Sequence, residues 1–274
     1  MFAEFKHTLR RLRGSILGWG IGLAAYTLLI AAFYGSLSRM DEGLTQLINS
    51  YPKELMAFFG DFARINTPAG YLHTYFFLYM TLIIGIFSVG AGANLLAKDE
   101  ESGTLDLVLA HPVSRTGLWW GRFLGLGAAT AAMLLIAWLG WVLPSSRTGL
   151  HLTWLQFLLP FLPLWAVLML FSALAALLSM LMPSASTASM SAGTLLAANW
   201  LLEGMVGINK DLKAAYRWTP LYFFQGGDAI DGIQWSWLAM LLGVTLLLSL
   251  LAWWLFQRRD IRVGGERSWS LTLR

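Results

Sequence analysis

The densest run of residues able to do chemistry is Lys98-Asp99-Glu100-Glu101-Ser102-Gly103-Thr104-Leu105-Asp106-Leu107-Val108-Leu109-Ala110-His111-Pro112-Val113-Ser114-Arg115. Its pattern predicts one short helix held between two apolar stretches. Acidic residues at the start complement the positive end of a helix dipole. Leu105, Val108 and Leu109 share a face at i, i+3 and i+4, and Pro112 ends the helix by driving His111 out of the α region. Such residues recognise a partner and do not catalyse: a compact helix with an apolar face at a membrane surface can seat a soluble protein. An ordinary inter-helix loop packed on its own bundle accounts for the same residues equally well.

Other chemistry is sparse. The chain has no Cys, which removes disulfides, thiolate nucleophiles and Cys-based metal sites. His7, His73, His111 and His151 lie in different segments without the i, i+4 pairing or carboxylate neighbour of a zinc site. An intramembrane hydrolase needs a Ser nucleophile and a His base at one depth. The Ser-rich stretch from Ser184 to Ser191 has no such His, because His73 belongs to the opposite membrane face. An ion-coupled carrier calls for several buried acidic residues and inverted repeats, and the sequence shows neither. There is no Gly-x-x-x-x-Gly-Lys-Ser/Thr run, so the chain holds no nucleotide by a P-loop. Asn94, Asn199 and Glu203 are polar groups in or near apolar stretches, where they are costly and often functional. They are candidates for lining a transport path, with local carbonyl bonding (Asn94) and interfacial snorkelling or loop pairing (Glu203) as the plainer readings. Asp228 and Asp231, beside glycines, are turn formers.

The elements that must position these residues are membrane helices. Of the 274 residues, 57% are hydrophobic and 12% charged, against about a quarter charged in soluble domains. One globular core does not absorb that much apolar surface. Six apolar stretches reach the roughly 20 residues a bilayer crossing takes, at about 15–37, 72–97, 117–143, 153–182, 187–206 and 235–257. The fourth should kink at Pro160 and Pro163. The fifth is diluted by Ser184, Ser186, Thr187, Ser189 and Ser191. The 14 Trp suit a chain with many membrane interfaces. The apolar run from Ser15 to Phe33 is longer than a signal peptide's core, so a retained anchor is expected. Six spans place 12 of the 19 Lys and Arg with the two termini and the 98–116 loop, which puts that side in the cytoplasm. The net charge of +4 reflects this topology and not nucleic acid binding, since no basic stripe runs beside aromatics.

Two flanking features are amphipathic. Phe2, Phe5, Leu9 and Leu12 alternate with Lys6, Arg10 and Arg13, predicting an interfacial elbow helix over 1–14. In the outer loop at 38–71, Pro52 opens a second such stretch through Leu55, Met56, Phe58 and Phe59. The outer segment 207–234, with Pro220, Gly226, Gly227 and Gly232, is apolar around Leu221–Phe224 and predicts a shielded re-entrant pair of short helices. Gly14, Gly18 and Gly22, like Gly121 and Gly125, form small faces at four-residue spacing, expected to pack within one subunit.

The stretch "KDEESGTLDLVLAHPVSRTGLWWGRFLG" resembles the signature between the second and third spans of permeases of bacterial ABC exporters, the six-span type V family. The correspondence is carried by Glu101, Gly103, Thr104, Leu105, Leu109, Pro112, Val113, Ser114 and Arg115, with Arg122 where a Lys is common. The second span, from Gly70-Tyr71-Leu72 at its outer end, is similar as well, and the close likeness covers about 66–125. The resemblance implies that 98–115, with Glu100, Glu101, Gly103, Thr104, Leu105, Val108, Leu109, Pro112, Val113, Ser114 and Arg115, is the coupling helix seated on a separate ATPase. It further implies an all-α permease working as a dimer with a second copy or homologue. Two ATPase subunits would bind the ATP and Mg, and the cargo would be hydrophobic or amphipathic.

Overall fold

The computed structural model describes residues 1–37, 64–65, 67–110 and 113–259. The expected amphipathic stretch around Pro52, the residues His111 and Pro112, and the tail arginines beyond 259 lie outside the described residues.

All described regular elements are helical. The long ones are α1 (Phe2–Leu37), α2 (Pro68–Ala93), α5 (Arg115–Val142), α6 (Trp154–Leu181), α7 (Ala185–Ile208) and α8 (Trp235–Arg258); two single turns, α3 (Ala97–Glu101) and α4 (Leu105–Leu109), fill the loop between α2 and α5. The long helices alternate in direction. One end of the bundle, here the basal end, carries the N-terminus, α3, α4, Pro183 and Arg259; the other is the apical end. Helix α1 packs along α5, while α6 stands at the centre against α2, α7 and α8.

Glycines and hydroxyls let these helices approach closely. A Cβ on Gly92 of α2 would strike the Ser172 carbonyl of α6, and Ser172 Oγ donates to Ser88 O at 3.0 Å. A Cβ on Gly140 of α5 would meet Thr27 and Ala24 of α1, and Thr27 Oγ1 donates to Ala137 O at 2.9 Å. Indole donors do the same work at longer reach: Trp165 Nε1 bonds Gly127 O at 2.9 Å and Trp200 Nε1 bonds Leu78 O at 2.7 Å. In an apolar medium every such donor needs a protein acceptor, so these contacts fix helix register.

Among the described residues, five helices are long and apolar enough to cross a membrane: Phe2–Gly35, Pro68–Ala93, Arg115–Val142, Trp154–Leu181 and Trp235–Arg258. The stretch expected at 187–206 falls within α7, which has 24 residues and runs beside α2 and α6 but is outside that set. Its Ser and Thr residues, with Asn199 and Glu203, lower its hydropathy.

Three details differ from the sequence pattern. No boundary separates an elbow from the first span: α1 is one helix of 36 residues, about 54 Å long. Its first turns are drawn onto α5, where a Cβ on Gly121 would strike Met1 O and Glu4, and one on Gly125 would crowd Thr8. The π-helical turn His73–Phe77 widens α2 near its apical end, and there Tyr26 OH donates to Tyr75 O at 2.6 Å. The apical segment between α7 and α8 forms single turns, not a helix pair, broken by Pro220 and by Gly226 and Gly232 at φ +51° and +144°. Leu221, Phe224, Ala229 and Ile230 are nevertheless buried, so the segment is a packed apical cap. Asp228 in it pairs with Arg64 at 2.9 Å, and Gly227 N donates to His73 Nδ1 at 3.3 Å. As expected, α6 is interrupted at Leu159 and Pro160.

Candidate functional site

The loop after α2 turns twice. Gly103 sits at φ +67°, a left-handed conformation that suits glycine, and divides the expected single helix into α3 and α4. Thr104 closes the turn with its N and Oγ1 on Asp99 O at 2.9 and 3.1 Å. Within α3 itself, at 3.6 residues per turn, the three successive acidic residues point in three directions.

Asp99 reaches Arg122 of α5 at 2.5 Å and Arg11 of α1 at 3.2 Å. Glu100 reaches Arg259, just past α8, at 3.4 Å. Glu101 accepts from Ala185 N, in the first turn of α7, at 2.7 Å. The α7 start is also closed by a reciprocal capping box between Ser184 and Thr187, so the carboxylate adds charge to an already capped dipole end. One five-residue helix is thereby tied to α1, α5, α7 and the end of α8.

Arg122 is the centre of this hub. It is 3% exposed, and besides Asp99 it donates to Glu4 Oε2 at 3.2 Å and Leu95 O at 2.9 Å. Three acceptors divided between Nε and Nη1 suit the planar fork of Arg better than the single nitrogen of a Lys. Arg115 has a separate task. Its Nη1 donates to Phe256 O, Gln257 O and Arg259 O at 3.1, 3.2 and 2.8 Å, so it caps the C-terminal turn of α8. Arg259 in turn donates to Ser179 O of α6 at 3.2 Å.

The residues expected to meet a partner divide into two sets. Leu105 is 2% exposed and packs with Leu95, Leu96, Leu118 and Trp119 of its own bundle, with Val108, Leu109 and Val113 partly buried around it. The apolar face at i, i+3 and i+4 is therefore used internally. Ser114 is the N-cap of α5, accepting from Gly117 N at 3.0 Å. What α4 and its N-cap present outward is Thr104, Asp106 and Leu107, the last 66% exposed. Glu100, Glu101 and Arg115 are engaged within the chain.

The path candidates do not converge. Asn94 caps the basal end of α2 and bonds Gly90 O at 2.7 Å. Asn199 and Glu203 lie toward the apical end of α7, level with Leu78 through Trp200, about 24 Å from Asn94 along α2. Asn199 Nδ2 reaches Leu195 O at 3.4 Å while its Oδ1 is buried without a partner. Glu203 stands beside the Tyr216 hydroxyl of the apical cap; burial, and then this carboxylate, push the Tyr216 pKa up.

Glu4, Arg11, Asp99 and Arg122 are the hub residues that sequence reasoning did not single out as a site. The signal was present: Arg122 lies two turns inside an apolar stretch, where an ionisable side chain demands a partner.

A bundle of membrane-length apolar helices, with four of its ion pairs gathered around one basal loop, defines an integral membrane protein. The family model described as ABC-2 family transporter protein matches residues 3–261, and the chain belongs to that family. It is a permease, the membrane component of an ABC transporter, which works with ABC ATPase subunits and is not itself the catalytic part. Among curated proteins none matches the chain.

Proposed function

We propose that this chain is the permease of an ATP-driven exporter, with α7 as its sixth span and the basal end in the cytoplasm. Two copies, or one copy and a homologue, enclose a path for a hydrophobic or amphipathic cargo. Two separate ATPase subunits, which bind the ATP and Mg, seat on the α3–α4 loop. The observation that carries this reading is the hub: Asp99, Glu100 and Glu101 leave α3 toward four different helices. A displacement of the loop by an ATPase is then shared by α1, α5, α7 and α8, as conversion of ATPase movement into helix movement demands.

The outward residues of α4 supply the test. Leu107→Asp places a charge on the proposed ATPase contact while leaving the permease core untouched. The expected result is normal insertion and unfolding behaviour, loss of copurifying ATPase and loss of transport. Leu105→Asp buries a carboxylate in the internal cluster and should destabilise the permease itself, by about 3–5 kcal/mol. Full ATPase retention and transport in Leu107→Asp would refute seating on this loop.

A further inference from the structure

Beside the hub, a cleft of about 620 Å³ opens between the first turns of α1 and α4, lined by His7, Arg10, Arg11, Arg13, Asp99 and Arg122 among others. Four arginines face one aspartate there. Arg11 and Arg122 are committed to Asp99 and Glu4, but among the described residues Arg10, Arg13 and His7 have no hydrogen-bond or ion-pair partner. The cleft is thus built with positive charge in excess.

A second cavity, of about 480 Å³, shares His7, Arg11 and Arg122 with the first and continues along the seam between α1 and α2, where Leu12, Ile86, Phe87 and Ala91 make it apolar. Beyond it on the same seam lies a third, of about 590 Å³, between Gly14, Gly18 and Gly22 of α1 and Met80 and Ile83 of α2. A Cβ on any of these three glycines would meet nothing within 4 Å. Their face is open, contrary to the packing expected from the spacing. From Met80 to Leu95 the two cavities, the Trp19 ring of one 6.1 Å from the Phe87 ring of the other, together line about 22 Å of helix, more than the depth of one leaflet of a roughly 30 Å hydrocarbon core.

We propose that this cleft and furrow hold one anionic glycerophospholipid of the basal leaflet, its headgroup phosphate on Arg10, Arg13 and His7 and an acyl chain along the α1–α2 seam. A soluble anion would need only the cleft, and an acidic segment of the ATPase would leave the intramembrane furrow unfilled. A phospholipid satisfies both halves, because basic side chains at the membrane surface attract anionic headgroups and apolar grooves take chains. Arg11 and Arg122 keep their internal partners and contribute field, while the arginines without partners make the direct contacts.

This site does not depend on the exporter reading, because lipid retention is read on the permease alone. The full-length chain, solubilised in detergent, is offered phosphatidylglycerol or phosphatidylcholine and examined by native mass spectrometry. The expected result is one retained phosphatidylglycerol and little phosphatidylcholine. Arg10→Gln with Arg13→Gln should weaken retention about thirtyfold, from about a fivefold loss per basic residue. Gly90→Leu, which keeps every charge and starts from a position with nothing within 4 Å, should weaken it too by filling the furrow. The charge-preserving pair Arg10→Lys and Arg13→Lys should retain the lipid. Equal retention of both lipids, or unchanged retention in the Gln pair or in Gly90→Leu, overturns the proposal. So does displacement by chain-free glycerophosphoglycerol at equal concentration, which would mark a headgroup site only. Release of the lipid when the ATPase binds would assign the basic rim to the partner, and overturns it equally.

Discussion

Arg122 offers the sharpest test of the hub. Arg122, 3% exposed, holds Asp99 and Glu4 together with Leu95 O. Arg122→Met keeps much of the apolar stem but leaves two carboxylates, themselves 15% and 13% exposed, facing each other without a cation. Removing one partner of a buried pair costs about 3–5 kcal/mol. Arg11 stays on Asp99 at 3.2 Å and offsets part of this, so the lower end, about 3 kcal/mol, is expected. Arg122→Lys keeps the charge but carries all its donors on one atom, whereas the three acceptors are divided between Nε and Nη1, and should cost about 1–2 kcal/mol through the bonds it abandons. The assay is reversible unfolding of the permease in mixed micelles followed by Trp fluorescence, run as a double-mutant cycle with Asp99→Asn. Residues in direct contact couple by about 0.5–3 kcal/mol, and a value near 2 is expected here. In the complex with ATPase, the same variants should uncouple ATP hydrolysis from transport before assembly is lost. An Arg122→Met that unfolds like the parent, with no coupling to Asp99, would refute the view that this loop is held ionically to α1 and α5.

The topology is testable because the chain has no native Cys: an impermeant thiol reagent applied outside should label single Cys at positions 45 and 212, but not at 10 and 265, and the reverse pattern would invert every assignment of side. Gly92→Ala should push α2 away from the Ser172 carbonyl and cost about 1–3 kcal/mol of overpacking, whereas Gly18→Ala, on the open face of α1, should be close to neutral; equal effects would contradict the described packing. Glu203→Gln should leave the apical cap folded, because the Tyr216 hydroxyl already donates to Leu221 O at 3.0 Å. If the Glu203 carboxylate participates in transport, substrate-stimulated ATP hydrolysis should change while basal hydrolysis and assembly stay intact. Unchanged stimulation with a transported substrate would leave Glu203 a structural tie.

The apolar stretches determined the helices by themselves, because a chain in lipid must satisfy its backbone internally. Five of the six became helices that meet both length and hydropathy, and the interruption at Leu159 and Pro160 follows from the missing proline N–H. The 98–115 signature likewise pointed to the ABC permease family, which the match over 3–261 shows. Periodicity, however, specifies a face without saying what covers it. Gly121 and Gly125 lie against α1, while Gly14, Gly18 and Gly22, at the same spacing, open onto a furrow. Leu105 has the pattern of a docking residue and is 2% exposed in its own core, while Leu107 faces outward. Nor does an acidic triplet reveal its partners. Asp99, Glu100 and Glu101 are adjacent in the chain, yet the helical step between neighbours and the convergence of helix ends send them to Arg122 and Arg11, to Arg259 and to the start of α7. Those partners lie up to 159 positions away in sequence (Glu100 to Arg259), and only the packing of the bundle brings them within an ion pair's reach.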